Sequence, residues 1–144
     1  MDAPLKTRDL VKTFGGIRAL DGVSIDVYNE KITLIIGPNG SGKTTLINVI
    51  TGFYHPERGE VKFNGSNITG LPPFKIFEKG IVRTFQIPHL FKSLTVLENM
   101  LVASRNNPGE KLRKALFKNS WRRAEEHLVE KALRILELLN LDHL

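Results

Sequence analysis

GPNGSGKTT, residues 37–45, is the stretch on which the reading of this chain turns. Gly37, Gly40 and Gly42, with the hydroxyls of Ser41, Thr44 and Thr45, surround a single lysine, Lys43. The six backbone N–H groups from Gly40 to Thr45 can turn into one concavity, because glycine accepts positive φ and presents no Cβ to an approaching oxygen. Directly before the loop stands ITLIIG (32–37), four of whose first five residues are apolar, with no polar face. That pattern predicts a strand buried on both sides of a parallel sheet. Directly after it, Leu46, Ile47, Val49 and Ile50 recur at helical spacing within GKTTLINVITG (42–52), and Gly52 is the expected stop.

Strand, glycine loop and helix are the context that gives G-x-x-x-x-G-K-[ST] its meaning, and Gly37, Gly42, Lys43 and Thr44 satisfy that Walker A pattern. The loop Gly37, Pro38, Asn39, Gly40, Ser41, Gly42, Lys43, Thr44 and Thr45 is therefore the expected nucleotide-binding segment. The start of the following helix favours an anion there. Lys43 is expected to reach β- and γ-phosphates, and the Thr44 hydroxyl to ligate Mg²⁺, a hard cation that selects oxygen ligands. The expected cofactors are ATP and Mg²⁺. The competing reading, a glycine turn beside a surface lysine, does not account for the agreement of pattern and flanks.

Upstream, KTRDLVKTF (6–14) and GVSIDVYNEK (22–31) alternate at period two and predict half-buried strands, with Asp21-Gly22 and Asn29-Glu30 as turns. Downstream, GEVKFNGSNI (59–68) predicts a hairpin turning at Asn64-Gly65. PPFKIFEKG (72–80) predicts a short helix opened by proline and closed by Gly80. IVRTFQ (81–86) is a strand candidate, and residues 93–105 read as a helix with capping-box spacing between Thr95 and Glu98. Residues 121–139 predict a helix with Trp121, Leu128, Ala132, Ile135, Leu136 and Leu139 on one face. Residues 106–119 are the expected linker.

The chain has 144 residues, 41% hydrophobic and 25% charged, which suits one soluble domain. No apolar run approaches the roughly 20 residues of a membrane span, and the N-terminus lacks a secretory apolar region. Zero cysteines excludes disulfides and thiolate metal sites. A cytoplasmic protein is expected. His55, His89, His127 and His143 lack metal-ligand spacing and read as surface residues. The net charge of +6 is concentrated in KLRKALFKNSWRR (111–123), which holds six cations and no acid. Such a run can bind nucleic acid or anionic lipid, or can simply be a solvated helix face.

Walker A occurs in several classes of nucleotide-binding protein, and two further contexts discriminate among them. KTFGGIRALDGVS (12–24), joined to RTFQ (83–86) and PHLFKSLTVLENM (88–100), closely resembles the ABC-transporter ATPases, and GIVRTFQ with LTVLENMLVA is similar to the branched-chain amino-acid importer type. The resemblance runs from about Leu5 to Leu144. It implies an α/β P-loop NTPase: an antiparallel β lobe, part of a parallel RecA-like sheet and the start of a helical subdomain, divided near residues 1–90 and 91–144. It implies that Phe14 stacks on adenine and that Gln86 contacts Mg²⁺ and the γ-phosphate. Without the resemblance, Phe14 reads as core, although Gly15-Gly16 argues for an exposed loop, and Gln86 as a polar strand end before Pro88. Ile87, Pro88, Leu90 and Phe91 are implied to dock a helix of a membrane permease, their alternative being ordinary core. The implied partners are a second ATPase subunit and permease subunits, with no nucleic acid, on the inner face of the cell membrane.

The family's LSGGQ signature, its acidic Walker B strand and its switch histidine have no counterpart in residues 1–144. The expectation is an N-terminal piece of an ABC ATPase that binds Mg-ATP without turning it over, because positioning and charge stabilisation supply most of the rate in phosphoryl transfer. An unpartnered ITLIIG would leave its apolar faces exposed. The other readings are an ABC-type ATPase acting on nucleic acid and a non-catalytic nucleotide-binding fragment.

Overall fold

The structure, a computed structural model, describes residues 3–85, 90–103 and 118–141, without the side chains of 118–125. The chain divides into two compact units, Met1–Thr84 and Phe85–Leu144.

In the first unit β1 (Leu5–Phe14) runs antiparallel to both β2 (Ile17–Val27) and β3 (Arg58–Phe63), and β4 (Ser66–Asn67) closes a sheet of order β2-β1-β3-β4. The β3–β4 turn falls at Asn64-Gly65 as its sequence predicts, with φ of 47° and 76° at the two central residues. β2 departs from expectation. It begins at Ile17, and Asp21-Gly22 lies inside it rather than at a turn. The register moves from Lys12↔Leu20 to Leu10↔Val23, so β2 carries one extra residue there, which Gly22 absorbs at φ 70°. The connecting turn is Gly15-Gly16 instead. An opposing bulge on β1 centres on Asp9, φ 48°, whose N–H donates to Ser24 Oγ at 2.9 Å.

Helix α1 (Lys43–Ile50) packs Leu46, Val49 and Ile50 against Leu10, Leu20, Val61 and Ile68 to form the core. Thr7 is fully buried within the sheet, and its hydroxyl accepts from Ile25 N–H at 3.0 Å. Each fully buried leucine or isoleucine contributes about 1.5–3 kcal/mol. α2 (Pro73–Lys79) matches its predicted bounds, stopping at Gly80 with φ 110°.

Two predicted strands are not formed. ITLIIG (32–37) pairs with no strand among the described residues, and Ile32, Leu34 and Ile36 are 101%, 76% and 83% exposed. Its apolar pattern suits burial on both faces, but a parallel strand exists only beside strand partners. The exposed apolar faces expected of an unpartnered segment are present. Residues 81–85 likewise form no strand with any described residue, and Gln86 lies outside the described residues.

In the second unit α3 (Val96–Val102) starts at a complete capping box: Glu98 N–H donates to Thr95 Oγ1 at 3.2 Å, and Thr95 N–H donates to Glu98 Oε2 at 2.7 Å. The Thr95 N–H, and after it the Thr95 hydroxyl, which donates to Glu98 Oε2 at 2.9 Å, hold the Glu98 carboxyl below its ordinary pKa. α4 (Lys118–Leu138) includes Lys118 and Asn119, which the sequence assigns to a linker. Ala132 and Leu136 are buried, whereas Ile135 and Leu139, expected on the same face, are exposed. Residues 111–117 and the side chains of 118–123 lie outside the described residues, so the basic run is not placed.

Candidate nucleotide site

The loop takes the form that its glycines predict. Gly40 and Gly42 sit at φ 82° and 88°, and Ser41 N–H donates to Pro38 O at 3.3 Å. Gly42 stands immediately before α1 as its N-cap, and it is close-packed: a Cβ there would lie 2.4 Å from Ala19 O and 3.2 Å from Leu20 Cδ2 on β2. The loop is thereby seated on the β1–β2 hairpin.

Lys43 Nζ donates to Gly37 O and to Pro38 O, each at 2.7 Å, and reaches Ser41 Oγ at 3.4 Å. The ammonium thus ties the entry of the loop to its exit. α1 starts with no side-chain cap and no acidic residue in its first turn, so no described side chain caps the N–H groups at its positive end. Lys43 and Thr44 also border an open, mostly apolar cleft of about 690 Å³, whose walls include Ile25, Ile35, Ile47, Ile50 and Ile81 beside Thr51 and Arg83. An uncapped helix start, a tethered ammonium and an exposed Thr44 hydroxyl are the donor set that a triphosphate with a hard cation needs. The chemistry fits Mg-ATP.

Phe14 ends β1 beside the Gly15-Gly16 turn and is 41% exposed, which places it outside the core. Its ring meets Tyr54 edge-on, centroids 5.1 Å apart and planes at 70°, and the Lys12 ammonium lies 5.2 Å from its centroid. Lys12 also pairs with Glu57 at 2.7 Å, and Glu57 accepts from Thr13 N–H at 2.9 Å. The Lys12 bond is the main cause holding the Glu57 carboxyl below its ordinary pKa.

Gln86, Ile87 and Pro88 lie outside the described residues. Leu90 and Phe91 are 68% and 58% exposed, so neither is ordinary core. Asn99 pins their loop: its Oδ1 accepts from Phe91 N–H at 2.9 Å, and its amide donates to Phe91 O, Leu94 O and Thr95 O. His55 and His127 are exposed as expected, while His89 and His143 are outside the described residues.

Sequence reasoning misses three residues here: Tyr54, Asn99 and Arg83. The Arg83 guanidinium donates to Asn48 Oδ1 and to Thr51 Oγ1 and lies over the Phe53 ring, tying segment 81–84 to α1. The one available signal was a charged residue inside a strand candidate, IVRTFQ.

Comparison with known proteins agrees with this geometry. The chain is 54% identical over 140 residues to the "Probable branched-chain amino acid transport ATP-binding protein LivG" of Methanocaldococcus jannaschii, covering 97% of this chain and 54% of that protein. It is 44% identical over 138 residues to the "High-affinity branched-chain amino acid transport ATP-binding protein BraF" of Pseudomonas aeruginosa, again covering 54% of it. The chain therefore spans about half the length of these relatives. A crystal structure described as the ADP conformation of an ATP-binding cassette of an ABC transporter superposes with a TM-score of 0.76 at 48% identity, covering 100% of this chain and 56% of that one. The ABC transporter family matches residues 20–144, from within β2 through the phosphate loop to the last residue, and the chain belongs to that family.

Proposed function

We propose that this chain is the nucleotide-holding portion of an ATPase that powers import of branched-chain amino acids. The observation that carries the reading is Lys43, tethered across a glycine loop at the uncapped start of α1. In this reading Lys43 and the N–H groups of residues 40–45 hold the phosphates of ATP, and the Thr44 hydroxyl and Gln86 hold Mg²⁺. Bound Mg²⁺ supplies charge neutralisation between the β- and γ-phosphates. Phe14 offers its exposed ring to adenine. The relatives are named for transport of branched-chain amino acids, which supports this reading and gives nothing to a nucleic-acid role.

The partners are a second ATPase subunit and permease subunits, one of whose helices contacts Ile87, Pro88, Leu90 and Phe91. Support for this docking is the exposure of Leu90 and Phe91 on a loop that Asn99 pins. The position that follows is cytoplasmic, on the inner face of the membrane. By itself the chain binds Mg-ATP without turnover. Glu98, the acid nearest after residue 86, spends its carboxylate in the α3 cap rather than on a water molecule.

Uptake of labelled leucine, isoleucine and valine by cells whose copy carries Lys43→Ala tests the reading. Loss of uptake of all three is expected, and undiminished uptake would contradict it.

A further inference from the structure

Tyr54 joins two parts of the site that have no sequence proximity to each other. Its ring meets Phe14 edge-on at 5.1 Å, while its backbone N–H donates to Asn48 O at 3.1 Å, within the helix that Lys43 opens. The same turn is fastened to β1 at its far side: Glu57 N–H donates to Val11 O at 3.0 Å, and the Glu57 carboxylate takes both Lys12 Nζ and Thr13 N–H. Residues 53–57 are therefore a strut between the phosphate-loop helix and the strand end that carries Phe14. Tyr54 is 38% exposed, and Phe14 stands at a hairpin end where backbone alone leaves its ring free to choose among rotamers. An edge-on neighbour narrows the tilt, since aromatic pairs favour edge-on or offset-stacked arrangements over a face-to-face sandwich.

We propose that Tyr54 is a positioning residue for the nucleobase: it fixes the tilt of the Phe14 ring relative to α1, so that base and triphosphate are engaged together. The inference rests on the reading of Phe14 as the base-stacking residue. Its signature is selectivity. Loss of the Tyr54 ring weakens a ligand that has a base and leaves untouched one that has only phosphates, whereas damage to α1 weakens both.

The experiment measures affinities of the purified chain for Mg-ATP and for Mg-tripolyphosphate, in wild type, Phe14→Ala, Tyr54→Ala, Tyr54→Phe and Glu57→Gln. Tyr54→Ala is expected to lose about threefold to tenfold in ATP affinity, the range of one aromatic pair. Its tripolyphosphate affinity should stay within about twofold, and Tyr54→Phe, which keeps the ring, should stay close to wild type for both ligands. Glu57→Gln sits on the surface, loosens Lys12 from the turn and should show a smaller loss confined to ATP, which keeps the test decisive if Tyr54→Ala does not fold. Equal losses for both ligands, or none, in Tyr54→Ala and Glu57→Gln would overturn the inference. Failure of Phe14→Ala to separate ATP from tripolyphosphate would instead overturn the stacking reading on which it rests.

Discussion

Replacing Gly42 by alanine separates two costs that a glycine-rich loop usually confounds. Gly40 and Gly42 have almost the same backbone, at φ 82° and 88°, so alanine meets a similar conformational penalty at either, about 1–2 kcal/mol. Their surroundings differ completely. A Cβ on Gly40 meets nothing within 4 Å, whereas one on Gly42 lies 2.4 Å from Ala19 O, and relief even to 3.0 Å demands a shift of about 0.6 Å (3.0 − 2.4). The obstacle is backbone of β2, which cannot rotate away, so the loop and the start of α1 must move. Overpacking of this kind costs about 1–3 kcal/mol in addition. Gly42→Ala should therefore lose roughly 2–5 kcal/mol of stability and Gly40→Ala roughly 1–2 kcal/mol. Denaturant unfolding of the two variants in parallel, without nucleotide, measures the difference. Equal midpoints at equal slopes would refute the reasoning, because they would mean that the loop is not seated against Ala19.

The Glu98 cap carries a pH dependence with a definite sign. A carboxyl whose pKa is lowered in the folded state stabilises above its ordinary value and loses that contribution as pH falls through the lowered one. The melting difference between wild type and Glu98→Gln, which keeps the cap geometry without titrating, should hold at pH 6 and shrink below about pH 4; parallel curves down to pH 3 would contradict it. Arg83→Ala should cost about 1–2 kcal/mol of unfolding free energy through its lost bonds to Asn48 and Thr51, and Arg83→Lys less; unchanged unfolding in the alanine variant would show that segment 81–84 is held by other contacts. Phosphate release from the purified chain with Mg-ATP should not exceed that of Lys43→Ala, and turnover abolished by that substitution would reveal a catalytic base elsewhere.

What was legible in the sequence follows the range of the interaction concerned. The phosphate loop was legible because its conformation is local: glycines at positive φ and a helix start are specified within nine residues. The Asn64-Gly65 turn and the Thr95–Glu98 cap were legible for the same reason. Asp21-Gly22 misled because the pair is a good hairpin turn in isolation, and pairing with β1 turned its left-handed glycine into a bulge one element later. ITLIIG misled more deeply, since its composition describes an environment rather than a conformation, and no neighbouring strand supplies that environment among the described residues. Tyr54 and Arg83 left almost no trace in the sequence. Their roles come from partners 40 and 35 residues away, Phe14 and Asn48. Exposure of Ile135 on α4, and of Leu139 just past its end, likewise depends on what the helix packs against, which periodicity alone does not say.

The central claim is that Lys43 and its loop hold the phosphates of ATP, and thermal or denaturant unfolding with and without Mg-ATP tests it directly. Wild type at a hundredfold excess of Mg-ATP over Kd should gain about 2.7 kcal/mol in unfolding free energy. Lys43→Ala, which removes the ammonium from Gly37 O and Pro38 O, should gain almost nothing under the same conditions. Equal stabilisation of the two proteins, or stabilisation of neither, would contradict the assignment.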